Sequence, residues 1–375
     1  MTMISKEEFK NRRSKVLNFI KELEIEDNYK KLVIHSGKVK NFSNDVNYPF
    51  RANSDFYYLT GFTEANAVAV LDPNSDNPFT MYVESPDPLH SIWEGSREGP
   101  QGAVKNFHAD KAFDIDEFTD KDFNNDTKAL NFVHSLRSIK SEAEIAIIQK
   151  SCDVAIQAHR VAKEIITPGI YEYEIEAKLN EVFRSQGASG WSYPAIVAAG
   201  KNSCVLHYTE NNAKIDEKDL ILIDAGCQYA YYASDITRVY SAQQEFTREQ
   251  KDIYDLVLDT QLQAIKTIQP GKSFQETNET VARLIGEGLK ELGYIKDASD
   301  EKQIKQYYMH SAGHSLGIDV HDLGIDRKTG VYVPGVVTTI EPGIYIKEKN
   351  IGVRIEDNIL VTANGNKNLT EALAK

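Results

Sequence analysis

Leu220-Ile221-Leu222-Ile223-Asp224-Ala225-Gly226, running on to Ala233-Ser234-Asp235-Ile236-Thr237-Arg238, decides how this chain is read. Four consecutive large aliphatics predict a buried strand, and that strand ends on a carboxylate, Asp224. Gly226 and the polar pair Cys227-Gln228 predict a turn, with the return strand starting at Tyr229 to Tyr232. The return delivers a second carboxylate, Asp235. An ionised carboxylate costs several kcal/mol to bury unless it is paired or bound to a cation. No Lys or Arg lies between the two in sequence, so a cation is the suggested partner. On their own, Asp224 and Asp235 would read as ordinary turn residues, since Asp is a common turn former. The rest of the chain decides between these readings.

Length comes first: 375 residues exceed one ordinary core and predict two domains. A hydrophobic fraction of 41% and a charged fraction of 26% are those of a soluble globular protein. The formal net charge of −13 repels phosphate backbones and anionic lipid, so neither nucleic acid nor membrane is an expected partner. No apolar run approaches the roughly 20 residues of a membrane span. Met1 to Glu8 carries no apolar signal core. Cys152, Cys204 and Cys227 match no zinc spacing and read as small buried thiols, which fits a cytoplasmic setting.

Ser5-Lys6-Glu7-Glu8 is a capping box, and Phe9, Val16, Leu17 and Ile20 give helical spacing to about Leu23. Strands are predicted at Lys31–His35, Asn66–Leu71 and Thr80–Val83, giving an α/β domain without an evident catalytic cluster. Trp93 reads as an exposed loop aromatic, and the acidic stretch Asp110–Asp126 as a solvated edge or loop. A second capping box, Ser141-Glu142-Ala143-Glu144, opens a helix that stops at Thr167-Pro168-Gly169 and marks the domain boundary. Beyond it come a helix from about Tyr173 to Ser185 and strands at Ile196–Ala199 and Val205–Tyr208. Two further helices are capped at Thr247 and Ser273.

Three more stretches carry candidate ligands. Residues 309–322 place His310, His314 and His321 among glycines, a dense grouping in a chain with 9 histidines. Val336–Glu341 predicts a strand that ends on a carboxylate before Pro342-Gly343. Gly352–Val361 predicts a single strand with Arg354 and Glu356 on one face and Ile355 on the other. Asp224, Asp235, Glu341 and Glu356 with one imidazole form a hard, thiolate-free donor set, which favours Mn, Mg, Ca or Fe(II). Four carboxylates are more charge than one divalent ion offsets, so two metals are expected.

The order Asp224, Asp235, His314, Glu341, Glu356 resembles the ligand order of the pita-bread metallopeptidases. Residues 206–211, Ile223–Cys227, Ser234–Arg238, Gly317–Asp322, Glu341–Tyr345 and Arg354–Asp357 resemble bacterial aminopeptidase P (Xaa-Pro aminopeptidase). Tyr48–Arg51 and Ser54–Phe62 resemble that family's N-terminal domain. The fold class implied is α/β (α+β): a small N-terminal α/β domain at 1–136 with a trimmed second half, and a C-terminal pita-bread catalytic domain at 137–375. The stretches 100–133, 321–334 and 345–352 are shorter than the family's usual ones.

The resemblance implies a dinuclear aminopeptidase, with manganese as the expected metal, that removes the residue before a penultimate proline. One metal would be held by Asp235, His314, Glu341 and Glu356. The other would be held by Asp224, with Asp235 and Glu356 bridging, and a metal-bridging hydroxide would be the nucleophile. Glu341 would shuttle the proton, and His207 and His321 would hydrogen-bond the substrate carbonyl. His310 would line the pocket after the cut, and Arg354 and Tyr345 would orient Asp224. Trp93 would reach the rim of a neighbouring subunit in a homo-oligomer, a dimer or tetramer. Prolidase is the nearest alternative, and a non-catalytic binding module of the same fold the remote one.

Overall fold

Ser5 Oγ accepts the Glu8 amide at 3.1 Å and starts α1 (Lys6–Asp27), as the capping box predicts. The computed structural model describes residues 4–27, 31–119, 127–324 and 330–375, and divides after Arg137 into two compact units.

In the first unit, β1 (Leu32–His35) is followed by the small hairpin β2 (Asn41–Ser43) and β3 (Val46–Asn47). Next come α2 (Ser54–Thr60), β4 (Val68–Leu71), β5 (Phe79–Val83), α3 (Pro88–Glu94), α4 (Gly99–Phe107), β6 (Lys111–Asp114) and α5 (Thr127–Ser138). One sheet runs in the order β1-β4-β5-β6, antiparallel except for the parallel β5–β6 pair. Arg12 and Arg13 donate to the Tyr58 and Leu59 carbonyls at 3.0 and 2.8 Å, filling acceptors that the C-terminal end of α2 leaves open.

Two expectations are corrected in this unit. The stretch from Asp110 is an edge, as expected, but not a loop: its first residues form β6, the edge strand of the sheet, where Phe113 stacks on Tyr82 of β5 with ring centroids 5.4 Å apart. Its last residues, 120–126, lie outside the described chain. Trp93 is not on a loop: Asp87 caps a short helix, α3, that carries it with 86% of its surface exposed.

The second unit begins with two helices, α6 (Glu142–Ile165) and α7 (Glu172–Ser185), packed together. The capping box is present as predicted, with the Glu144 amide 3.3 Å from Ser141 Oγ and the Ser141 amide 3.0 Å from Glu144 Oε2. Then come β7 (Gly190–Trp191), β8 (Ile196–Ala199), β9 (Leu220–Asp224), β10 (Cys227–Tyr229), β11 (Tyr232–Ala233) and β12 (Thr237–Ser241). Helices α8 (Arg248–Thr267), α9 (Phe274–Glu291) and α10 (Glu301–Ile304) lead to β13 (Val337–Ile340), β14 (Gly343–Ile346), β15 (Ile351–Arg354), β16 (Asp357–Thr362) and β17 (Gly365–Asn368). The sheets run β12-β9-β8, β11-β10-β7, β13-β16-β17 and β14-β15. Apolar faces of α8 and α9 (Ile253, Val257, Val281, Ile285) close one core with Leu220, Leu222, Val353 and Ile359 of the strands.

The decisive stretch folds with a difference. Cys227-Gln228 is strand rather than turn. The reversal falls at Ala230-Tyr231, where φ is 46° and 74°. Polar character suggested the turn, but pairing with β7 and β11 satisfies that backbone instead. Gly226 serves a different need: a Cβ there would lie 1.8 Å from the Ser234 carbonyl oxygen. Only glycine lets the two backbones pass this closely, and the passage brings Asp235 beside Asp224.

Val205–Tyr208 is irregular and follows a 3₁₀ turn at Gly200–Cys204. Gly352–Val361 is two strands, not one: β15 pairs with β14 and β16 with β13, so the chain changes sheets at Ile355-Glu356.

His159 of α6 supports the same region, with Nε2 3.0 Å from the Ala225 carbonyl. Burial holds its pKa down, to about 4 from 6.5. The unfolded chain therefore takes up a proton below pH 6.5 that the folded chain refuses until about 4. Stability tied to His159 is complete above pH 6.5 and falls by about 3 kcal/mol on acidification to pH 4. Urea titrations of the native chain and of His159→Gln across this range should diverge by that amount. Parallel pH profiles would show that His159 is protonated in the folded state.

Candidate functional site

Strand ends converge on one cavity of about 550 Å³, whose wall includes Asp224, Asp235, His314, Glu341 and Glu356. Asp224 terminates β9, and Asp235 lies two residues before β12, which pairs with β9 so that Thr237 faces Asp224. Glu341 follows β13. Glu356 sits in the sheet-changing link between β15 and β16. His314 is fixed from its backbone: its amide donates to Thr339 Oγ1 at 3.0 Å, and its carbonyl accepts the Thr339 amide at 2.7 Å. A Cβ on Gly313 would lie 2.1 Å from the Thr339 carbonyl, so this docking needs the glycine.

The donor atoms are close together. His314 Nε2 lies 3.3 Å from Asp235 Oδ2 and 3.6 Å from Glu341 Oε1. One ligand atom from each of Asp235, His314 and Glu356 falls within a 4.8 Å cluster. Glu356 Oε2 accepts the Thr237 hydroxyl at 2.7 Å, whereas its Oε1 is buried with no hydrogen-bond partner. Asp224 Oδ2 accepts Arg354 Nη2 at 2.6 Å.

Charge follows from this crowding. Burial, then the facing carboxylates, raise Glu356 well above the usual range and push Glu341 up to about 7. Burial also raises Asp224, with Arg354 opposing the shift. For His314, burial opposes the charged form, but Asp235 and Glu341 outweigh it and lift the imidazole to about 9. A set of acidic groups this mutually repelled, with one oxygen left without a donor, fits positive charge at its centre. Asp224, Asp235, His314, Glu341 and Glu356 could hold hard divalent cations there.

The other predicted residues take varied positions. His207 and His321 line the cavity from exposed loops, and the His321 ring meets His314 edge-on at 4.3 Å between centroids. His310 lines it too. Its Nε2 is 2.9 Å from Tyr345 Oη and its Nδ1 2.9 Å from the Ser311 carbonyl. Arg354 Nη1 donates to Tyr345 Oη at 3.0 Å, so the tyrosine proton goes to His310 Nε2 and the Nδ1–H goes to Ser311. Burial pushes this imidazole down to about 4, so it is neutral near pH 7. Tyr345 therefore stands behind the wall, linking Arg354 to His310. Trp93 belongs to the first unit.

Tyr193 went unnoticed in the sequence. Its hydroxyl lies 2.6 Å from Asp224 Oδ1 and 2.5 Å from Asp235 Oδ1, so one proton serves two carboxylates. Burial and the facing carboxylates raise its pKa well above 10. Only its place before Pro194, at the entry to β8, was there to be read.

Residues 9–129 match the aminopeptidase P N-terminal domain and residues 146–363 match metallopeptidase family M24. The Xaa-Pro aminopeptidase of Haemophilus influenzae is 37% identical over 420 aligned positions, spanning 100% of this chain and 96% of the relative. That of Escherichia coli is 33% identical, spanning 100% and 97%. Among solved structures, Pseudomonas aeruginosa aminopeptidase PepP superposes with a TM-score of 0.92 at 36% identity, covering 100% of this chain and 97% of that one. Escherichia coli aminopeptidase P with the inhibitor Pro-Leu gives 0.89 at 32%, covering 100% and 96%.

Metal binding to the donor cluster should stabilise the fold, by about 2.7 kcal/mol at a hundredfold excess over Kd. Adding Mn²⁺ to the metal-stripped protein should raise its Tm, and Glu356→Gln should remove most of the rise. An equal rise in both proteins would place the bound ion elsewhere.

Proposed function

Because the chain belongs to metallopeptidase family M24, we propose that it acts as an Xaa-Pro aminopeptidase, removing the first residue of peptides whose second is proline. One observation carries this reading: five candidate metal ligands converge on one cavity in a chain related end to end to proteins of that activity. The expected cofactors are two divalent cations, manganese by preference. Asp235, His314, Glu341 and Glu356 would hold one, and Asp224 with Asp235 and Glu356 would hold the other. When bound, they lower the pKa of water and polarise a peptide carbonyl.

The chain's own groups do the rest. Glu341 lines the cavity beside His314 and is placed to take a proton from the attacking water and return it to the leaving proline nitrogen. His321 and His207 reach the cavity and donate to the substrate carbonyl oxygen as charge develops there. Both nitrogens of His310 are engaged, so it offers the proline ring a neutral aromatic edge rather than a hydrogen bond. Arg354 holds Asp224 in place and Tyr345 holds Arg354.

Assembly as a homo-oligomer through the first unit is part of the same reading, because Leu89, Ile92 and Trp93 expose apolar surface on α3. So is a cytoplasmic setting, where the buried free thiols of Cys152, Cys204 and Cys227 stay reduced. No described helix is long and apolar enough to cross a membrane.

The Mn-loaded protein should release the first residue from Xaa-Pro-Xaa tripeptides and not from matched Xaa-Ala-Xaa. Cleavage confined to Xaa-Pro dipeptides would instead make it a prolidase, and a metal-loaded protein inert to all three would be a binding module.

Single substitutions divide the roles. Glu341→Ala should abolish turnover, whereas His321→Ala should slow it by about 10² with metal content unchanged. Loss of metal from His321→Ala would make that histidine a ligand.

A further inference from the structure

The loop that carries His207 has no regular structure from Val205 to Ala213, yet its position relative to the cavity must be held for His207 to meet a substrate. One buried side chain holds it. Glu172, in the first turn of α7, is fully buried and accepts four hydrogen bonds. Its Oε1 takes the Ala199 amide at 2.7 Å and Asn202 Nδ2 at 3.0 Å. Its Oε2 takes the Tyr208 hydroxyl at 2.8 Å and the Ala213 amide at 2.8 Å. The four donors come from before His207, from the residue next to it, and from the far end of the loop. The Glu172 amide also donates to the Ala213 carbonyl at 3.0 Å.

We propose that Glu172 is a positioning residue for His207: it fixes the 199–213 loop from behind so that the imidazole faces the substrate carbonyl. The proposal rests on the peptidase reading above, in which His207 donates to that carbonyl. The chemistry calls for a carboxylate. Four donors need four lone pairs on two oxygens, and a glutamine would turn one oxygen into a donor facing two others. The helix N-terminus favours the negative charge. Asn211 closes the same loop on its other side, with Oδ1 accepting the Val197 amide at 3.0 Å and Nδ2 donating to the Ala195 carbonyl at 2.9 Å. The loop is thus clasped at both flanks, leaving Leu206, His207 and Thr209 to line the cavity.

A double-mutant cycle on the Mn-loaded enzyme tests this. Glu172→Gln should lower kcat about 10²-fold, as expected for a displaced catalytic donor, with KM moving far less. In the His207→Ala background the same change should cost less than about twofold, because the group it positions is gone. Effects that multiply in full would overturn the proposal. Burying an unsatisfied amide can unfold the chain, so Tyr208→Phe is the milder second variant. It removes one of the four bonds, and a kcat loss of about tenfold is expected, again absent beside His207→Ala.

A readout independent of turnover completes the test. In metal-stripped protein with ¹⁵N-labelled histidine, the signal missing in His207→Ala identifies His207. That signal should move in Tyr208→Phe while that of His90, in the first unit, stays in place. An unmoved His207 signal would overturn the proposal even if the native enzyme proved inactive on proline peptides, an outcome that would separately refute the peptidase reading.

Discussion

Mutual repulsion among buried carboxylates is the constraint on which the second unit is built. Asp224, Asp235 and Glu356 are all buried, and Glu341 shares their cavity. Among the described residues, Arg354 pairs with Asp224, and His314 with Asp235 and Glu341. That pairing is incomplete, since it leaves Glu356 Oε1 with no donor. An arrangement so costly to assemble persists only when the surrounding fold over-determines it, and the strain is relieved when charge of the opposite sign enters. As a ligand His314 would have to give up its proton, so metal entry would be coupled to proton release.

The over-determination is visible behind the site. Arg238 is fully buried and donates to the Glu356 carbonyl at 2.7 Å and to Asp357 Oδ1 at 2.7 Å. It thereby clamps Glu356 in the link and Asp357, the first residue of β16. Lys375 Nζ reaches Asp357 Oδ2 at 2.6 Å, and burial of Asp357 is outweighed by these cations, which hold it well below the ordinary carboxylate range. Removing one partner of such a buried pair typically costs 3–5 kcal/mol. The Asn358 side chain bonds both the amide and the carbonyl of Asp235, which locks the second carboxylate to the same strand. Ligand geometry here is set by backbone held at fixed points rather than by side-chain packing alone.

The difference between what the sequence disclosed and what it hid follows from the range of the interactions. Capping boxes at Ser141 and Thr247 were legible because both partners lie within one helical turn. Asp224 and Glu341 were legible as candidates because a strand ending on a carboxylate leaves a local signature, and His314 because it stands in a dense local group of histidines. Turn placement at Gly226 failed because its requirement is a contact with Ser234 across the hairpin rather than a local bend. The break at Ile355-Glu356 was hidden because two strands in different sheets still alternate in register along one sequence. Tyr193 and Glu172 were illegible for a similar reason: each acts on partners more than twenty residues away.

The cavity has two characters, and their contrast bears on selectivity. Its floor is anionic, but Pro194, Ile196, Leu206 and Val320 give it an apolar wall, and His310 presents no free nitrogen. A peptide with proline after the scissile bond brings no N–H to such a wall. One with alanine brings an amide that must find an acceptor, and leaving it buried without one costs about 1–3 kcal/mol. That range corresponds to roughly 5- to 150-fold in rate. The tautomer fixed by Tyr345 and Arg354 keeps His310 from serving as that acceptor, so an N–H at this position must be satisfied from elsewhere in the cavity.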